Sequence, residues 1–334
     1  MGWNRRGFLQ LAGVAAAAGV AGAAPGCSPR KPAPGTPGGG AVTINHLFGQ
    51  TVIKQPPKRV VSAGYTEHDD LLAVGVVPIA VTNWFGDQPL AVWPWAEQEL
   101  GTEHPAVLKL DNGIAVDQIA RLKPDLIVAV NAGLDADTYQ KLSAIAPTVP
   151  QSGGDAFFEP WKQQATTIGQ AVFRADKMTS LVDAVDKQFA GIAKQYPHWS
   201  GKKALLMEGA LWQGNVVATL AGWRTEFLNQ MGLVIDDGIK QFGQQFEQDQ
   251  HAVIPRDQIT VVLDSADVVI WTTHSQDEQK ALLADKEVAA SQATALHRHI
   301  FTTQEQAGAI SFASPLSYPF VAAQLPPEIA KILG

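Results

Sequence analysis

The chain has 334 residues, 46% of them hydrophobic, and a formal net charge of −7 at pH 7. Such a balance excludes a disordered chain, and net acidity without a long Lys/Arg cluster excludes nucleic acid as a partner. The single cysteine, Cys27, leaves the body of the chain without disulfide, thiol or zinc-thiolate chemistry.

Residues 1–27 read as an export signal: basic Arg5 and Arg6, an Ala/Gly/Val/Leu run to Ala24, then a small-residue cleavage zone. The apolar run is about 15 residues long, whereas about 20 are needed to cross a bilayer, so a cleaved leader is expected rather than a membrane span. Arg5-Arg6 with Phe8 and Leu9 resembles a twin-arginine signal, with Asn4 for the usual Ser/Thr and Gln10 for the usual Lys. Ala24-Pro25-Gly26-Cys27 resembles a lipobox that lacks its Leu, in which Cys27 is lipidated and becomes the first mature residue. Acyl chains at about 0.8 kcal/mol per buried CH₂ would then anchor the protein to the outer face of the cytoplasmic membrane. Residues 28–40, rich in Pro and Gly, are too poor in apolar side chains to fold and form a disordered tether.

From Ala41 the pattern opens with a hairpin, 42–44 and 50–53, joined across Gly49. A strand at 59–62, a helix at 67–74, a strand at 77–81, a helix at 116–122, a strand at 125–130 and a helix at 137–145 follow. Strands bounded by turn residues and separated by helices predict βα units on a mostly parallel sheet. Residues 161–195 then carry apolar positions at helical spacing (Ile168, Val172, Met178, Leu181, Val185, Phe189, Ile192), which predicts one long helix, with a kink near Arg174 the only departure. It holds no proline and one glycine in its first half, Gly169, so a sharp bend is not expected. Alternation resumes with strands at 204–207, 216–218, 267–271 and 300–302 and helices at 225–231, 256–263, 276–283 and 321–333. Asp117-Gln118-Ile119 before Pro124-Asp125 is echoed by Asp257-Gln258-Ile259 before Ala266-Asp267. The expected architecture is α/β: an N-terminal lobe at 41–157, a rigid linking helix at 158–196, a C-terminal lobe at 197–334, and a ligand cleft between two Rossmann-like lobes.

Pro57-Lys58-Arg59-Val60-Val61-Ser62, the segment from Asp70 to Pro78, Leu122-Lys123-Pro124-Asp125 and Ser314-Pro315-Leu316-Ser317 resemble the recurring segments of ABC-transporter solute-binding lipoproteins of the ferric-siderophore, haem and cobalamin type. Within that family the chain is most similar to actinobacterial iron-siderophore binding lipoproteins. The resemblance implies two lobes, a stiff connecting helix that limits closure, capture of an iron chelate, and delivery to a membrane permease by a monomer without a cofactor of its own.

A ferric siderophore or haem is large, partly flat and often anionic, so aromatic walls and a few cationic donors are expected after the strands. In the first lobe these are Tyr65, Trp84, Phe85, Lys109 and Asn131; in the second, Trp212, Trp223, Arg224, Phe246 and His274. The resemblance places Lys109 where hydroxamate binders carry an arginine, and Phe246 near a cleft tryptophan. Against these stand plainer roles: Trp93 and Trp95 packing a loop, Trp271 in the core, Trp161 and Trp199 stapling the long helix, Tyr65 satisfying a turn. The acids around His68, at a helix start, favour the dipole and cap the turn more readily than they bind metal, and His297 and His299 flank Arg298 at a spacing that does not converge. The resemblance also implies rim carboxylates that meet permease arginines, here Asp135 or Asp137 in the first lobe and Asp257 in the second, where helix capping is the competing role.

Haem or another tetrapyrrole such as cobalamin is the nearest alternative ligand. A zinc or manganese binder would need three or four converging ligands and often a His-rich loop, which the sequence lacks. No nucleophile elbow, phosphate loop or zinc-protease motif is present, so catalysis is not expected, and an adhesion module would not predict cleft tryptophans.

Overall fold

The computed structural model describes residues 40–109, 113–154, 157–243 and 250–334. The expected export signal, Cys27, most of the expected tether and Phe246 lie outside the described residues. Residues 40–334 form one compact unit.

The hairpin pairs Val42–His46 with Gly49–Ile53, with Ile44 and Ile53 facing the core. A five-stranded parallel sheet follows, in the order Ala106–Leu108, Ala80–Thr82, Val60–Ser62, Leu126–Ala129, Thr148–Pro150. All of its strands but the edge strand Ala106–Leu108 are buried on both faces, as their largely apolar runs require. Helices Glu67–Ala73, Val116–Leu122 and Ala136–Ser143 make the crossovers. Two of the recurring sequence segments are welded together here. The Asp125 carboxylate accepts from the Lys58 and Arg59 amides at 2.8 Å each, and the Arg59 guanidinium donates to the carbonyls of Leu122 and Lys123. In the second half Asp267 repeats the device, accepting from the Lys203 amide at 2.9 Å.

The second sheet has six strands and is mixed. Lys203–Glu208, Val268–Thr272 and His299–Phe301 run parallel, Val234–Ile235 joins Lys203–Glu208 in parallel, and Val216–Thr219 and His251–Ile254 extend the sheet antiparallel. Trp271, in the central strand, is wholly buried, as are Trp199 and nearly all of Trp161. His299 lends both ring nitrogens to structure, accepting from Trp271 Nε1 at 3.0 Å and meeting Thr294 Oγ1 at 2.8 Å, so the His297/His299 pair has no metal role.

The expected single linking helix is two. Trp161–Ala171 packs on the first half of the chain, Ala175–Gln195 runs along the second, and the chain turns between them with Phe173 in the left-handed region at φ 59°. The turn is sharp rather than a kink: a Cβ on Gly169 would lie 2.6 Å from Met178 Cβ, nine residues on, where a straight helix would separate them by about 13 Å. One continuous hydrophobic core nonetheless runs from Ile44 through both helices to Leu325, so rigidity comes from shared packing. Gly169→Ala should therefore cost about 1–3 kcal/mol by forcing the two helices apart, lowering the melting midpoint seen by circular dichroism by several degrees. An unchanged midpoint would mean that the two helices do not meet there.

Candidate ligand cleft

The loops that leave the carboxyl ends of the first sheet bring an aromatic wall together. Tyr65 stacks on Trp84 at 5.5 Å, Trp84 meets Phe85 edge-on at 4.6 Å, and Phe158 lies 5.3 Å from Trp84. Gly86 lets this loop turn at φ 89° with its α-carbon against Trp93, where a Cβ would lie 2.5 Å from the indole. Behind the wall Trp93 and Trp95 stack at 4.9 Å, and Trp93 is buried, so both pack the loop as its backing. Tyr65 is half-buried within the stack, and its backbone amide, not its ring, satisfies the turn by donating to Asn131 Oδ1 at 2.8 Å.

Asn131 is the clearest correction among the expected ligand contacts. It is fully buried, holding Tyr65 with its carbonyl and donating its amide to Thr66 Oγ1, so it shapes the wall and faces no ligand. Its own backbone amide donates to Glu67, which also takes the Gly64 amide and the Ser62 hydroxyl. The run 67–70 is no exposed helix start: Glu67, His68, Asp69 and Asp70 are all buried. Burial pushes the Glu67 and Asp69 carboxyls up to about 7, raises Asp70 well above the carboxylate range, and lowers His68 to about 4. Asp69 Oδ2 accepts from Trp95 Nε1 at 2.8 Å and from Ser314 Oγ at 2.6 Å. Ser314 and Ser317 exchange hydrogen bonds at the entrance to the last helix, Ser317–Leu333, which accounts for the recurring Ser-Pro-Leu-Ser segment.

The opposite wall carries the charge. Arg224 lies over Trp223 at 4.4 Å and over Phe158 at 4.7 Å, held by a turn in which the Gly222 amide donates to Thr225 Oγ1. A cavity of about 550 Å³ opens between Trp84, Phe85 and Phe158 on one side and Glu208, Arg224 and His274 on the other. His274 reaches across to Phe85, ring to ring at 5.6 Å, and its Nδ1 lies 3.5 Å from Glu278. Trp212 is 52% exposed and lines an adjoining cavity with Glu208 and His274. A smaller recess behind is lined by Trp223, Arg224 and His251.

Sequence reasoning missed Phe158, Glu208, His251 and Ser311, which all line these cavities. Lys109 is exposed at the end of the edge strand and outside the lining of the three cavities. At the rim, Asp135 is a helix cap, accepting from the Thr138 amide at 2.7 Å, and those bonds from Thr138 hold its carboxyl low. Asp137 is exposed in the first turn of the same helix. Asp257 is exposed, and the helix Ile259–Asp264 begins after Gln258 without a side-chain cap, so the capping role does not apply to it. Among the described residues no group of three or more His, Cys, Asp and Glu could hold a metal ion, and no helix is long and apolar enough to cross a membrane.

Residues 60–307 match the family model described as periplasmic binding protein. The chain is 29% identical over 253 residues to the probable siderophore-binding lipoprotein YfiY of Bacillus subtilis, covering 71% of this chain and 70% of that protein. It superposes on a periplasmic solute binding protein from Mycobacterium smegmatis with a TM-score of 0.83 at 62% identity, covering 88% of this chain and 99% of the other. PiaA of Streptococcus pneumoniae, solved with ferrichrome, shares the fold at a TM-score of 0.71 and 21% identity, over 87% of this chain and 98% of that one. With most of its length inside the family model, both sheets in the expected arrangement and a cleft at the strand ends, this chain belongs to the periplasmic binding protein family.

Proposed function

We propose that the protein is the extracytoplasmic binding component of an ABC importer that captures a ferric siderophore and hands it to a membrane permease. The observation that carries this reading is the 550 Å³ cavity, walled by stacked aromatic rings on one side and by Arg224 on the other. Such a site offers area to a large, partly apolar chelate and a few oriented donors to its oxygens. The names of its relatives, a probable siderophore-binding lipoprotein in Bacillus subtilis and the Fe(3+) dicitrate-binding periplasmic protein FecB in Escherichia coli, support the same ligand class. It is a binding protein, not an enzyme, as its family is one of solute-binding proteins.

Tyr65, Trp84, Phe85, Trp212, Trp223, Arg224 and His274 are the ligand contacts in this reading, and Lys109, outside the cavity lining, is not among them. Asp137 and Asp257 are the rim carboxylates for the permease. The protein would act as a monomer, exported by the twin-arginine route and anchored through lipid on Cys27. Haem, with His274 as its axial ligand, is the rival occupant of the same cavity.

Titration of tryptophan fluorescence with ferric hydroxamates, ferric catecholates and haem tests the reading, since a bound chelate must quench Trp84 and Trp223. Losing a charge-assisted contact costs about 1.5–3 kcal/mol, so Arg224→Ala should weaken binding roughly ten- to a hundred-fold. Quenching by haem alone would replace the siderophore reading, and unchanged affinity in Arg224→Ala would remove Arg224 from the site.

A further inference from the structure

The ionisable groups of the cleft are unevenly placed. The first wall, Trp84, Phe85 and Phe158, is uncharged; Glu208, Arg224, His251 and His274 all stand on the second. Glu208 ends the strand Lys203–Glu208, its side chain 49% exposed, and it lines all three adjoining cavities. Its Oε1 lies 3.5 Å from His251 Nε2. The bond from His251, and after it the nearby charge of Arg224, hold its carboxyl below the usual range, so it is ionised at neutral pH. Glu278 adds a second carboxylate beside His274.

Among the described residues, Arg224 is the one Lys or Arg lining these cavities. The internal segments outside the description, 110–112, 155–156 and 244–249, contain no lysine or arginine in their sequence. A site for a polyanion concentrates positive charge and keeps carboxylates out, because like charge facing like charge in a partly desolvated cleft is penalised. This cleft does the reverse: its arginine shares a wall with an ionised glutamate, and the net fixed charge is not positive.

We propose that Glu208 sets the charge class of the ligand, selecting iron chelates of zero or positive net charge, such as tris-hydroxamates, and rejecting polyanionic catecholate and citrate chelates. The proposal rests on the siderophore reading and narrows it. A ferric tris-hydroxamate carries no net charge because three hydroxamate anions balance the ferric ion, whereas a ferric tris-catecholate carries three negative charges. Glu208 then repels the second and accepts an N–H or ammonium donor from the first.

The experiment titrates the intact protein with four probes: ferrichrome (uncharged), ferrioxamine B (one free ammonium), a ferric tris-catecholate and ferric dicitrate. The wild type should bind both hydroxamates at least ten-fold more tightly than either polyanion. Glu208→Gln, which keeps the side-chain shape, should narrow that ratio by about ten-fold or more, tightening the anions and weakening ferrioxamine B most. Glu208→Asp should keep the wild-type order, which separates charge from shape, and melting curves of both variants check the fold. Equal or tighter binding of a polyanion by the wild type, or a ratio unmoved in Glu208→Gln, overturns the charge filter while leaving siderophore binding intact. Failure of all four probes to bind overturns the siderophore reading itself, and the filter with it.

Discussion

Phe312→Ala is expected to destabilise the protein by about 3–5 kcal/mol and to loosen the ligand wall together with the core. Phe312 is 3% exposed and ends the helix Gln304–Phe312. It meets five rings: His68 at 5.5 Å, Trp84 at 5.7 Å, Phe85 at 6.3 Å, Trp93 at 6.0 Å and Trp95 at 5.6 Å. All five come from the first half of the chain, so this one side chain from the second half fills the space against which the cleft aromatics are fixed. Alanine leaves a cavity that stiff rings cannot collapse into, and edge-to-face contacts worth about 0.5–1.5 kcal/mol each are lost with it. Trp84 and Phe85 would lose their backing, so siderophore affinity should fall too although Phe312 lies behind the surface they present. Chemical denaturation gives the stability and fluorescence titration the affinity, with Phe312→Leu expected to recover most of both. A loss below about 1 kcal/mol would show that the five rings hold one another without Phe312.

That residue was invisible in the sequence for a physical reason. The helix Gln304–Phe312 is rich in Ala and Gly and is buried on most of its face, so it lacks the apolar stripe by which a half-buried helix is recognised. By contrast Val116–Leu122 was legible to the residue, since Asp117, Ile119 and Leu122 carry both a dipole-favouring acid and the right spacing. The strand predicted at 77–81 begins later, at Ala80, because Val76 turns back to the Leu71 carbonyl and Pro78 stands inside the turn. The strands Ala106–Leu108, Thr148–Pro150 and His251–Ile254 are short edge or near-edge elements, set by pairing with distant partners that no local pattern reveals.

The turn at 172–174 misled the helical reading for a different reason. Apolar spacing continues across it because both helices press on the same core, and periodicity alone cannot distinguish a straight helix from two that share a face. One glycine gave no reason to expect a sharp bend, yet the missing side chain of Gly169 is what allows Met178 to close on it. The cleft aromatics were legible because Trp in a polar, Gly-rich loop calls for an explanation beyond the core. Glu208 and His251 were not, since they meet only when two strands separated by more than 40 residues pair through Val216–Thr219. Asn131 had the position of a ligand contact, at the end of a parallel strand, but the buried Glu67 and Thr66 claim it first.

Thermal stability should fall between pH 5.5 and pH 8, and Asp69→Asn should remove a large part of that fall. Glu67 and Asp69 carry folded-state values of about 7 against 4.5 and 3.8 for the free groups, and Asp70 is raised further, all by burial. Each holds a proton in the native state that the unfolded chain has released, so each favours folding at low pH and loses that contribution as pH climbs to its folded value, at about 1.4 kcal/mol per pH unit. His68 and His299, lowered by burial to about 4, act in the opposite sense: the unfolded chain takes up their protons below 6.5. Between about 4.5 and 6.5 the two effects oppose, three carboxyls against two histidines, so the fall is shallow; from 6.5 to about 7 the carboxyls act alone and it is steepest, and beyond about 7 Glu67 and Asp69 add no further slope. Asp69→Asn mimics the neutral acid: its carbonyl can accept from Trp95 and Ser314 as Oδ2 does, and its amide replaces Oδ1, which has no partner. The melting point of the variant relative to the wild type should rise between pH 5.5 and pH 8, by several degrees at about 2–4 °C per kcal/mol. Calorimetry at the two pH values reads the difference for each protein, which cancels any constant cost of the amide. If the wild type melts no lower at pH 8 than at pH 5.5, or the variant shows the same fall as the wild type, Asp69 does not hold a proton in the folded protein.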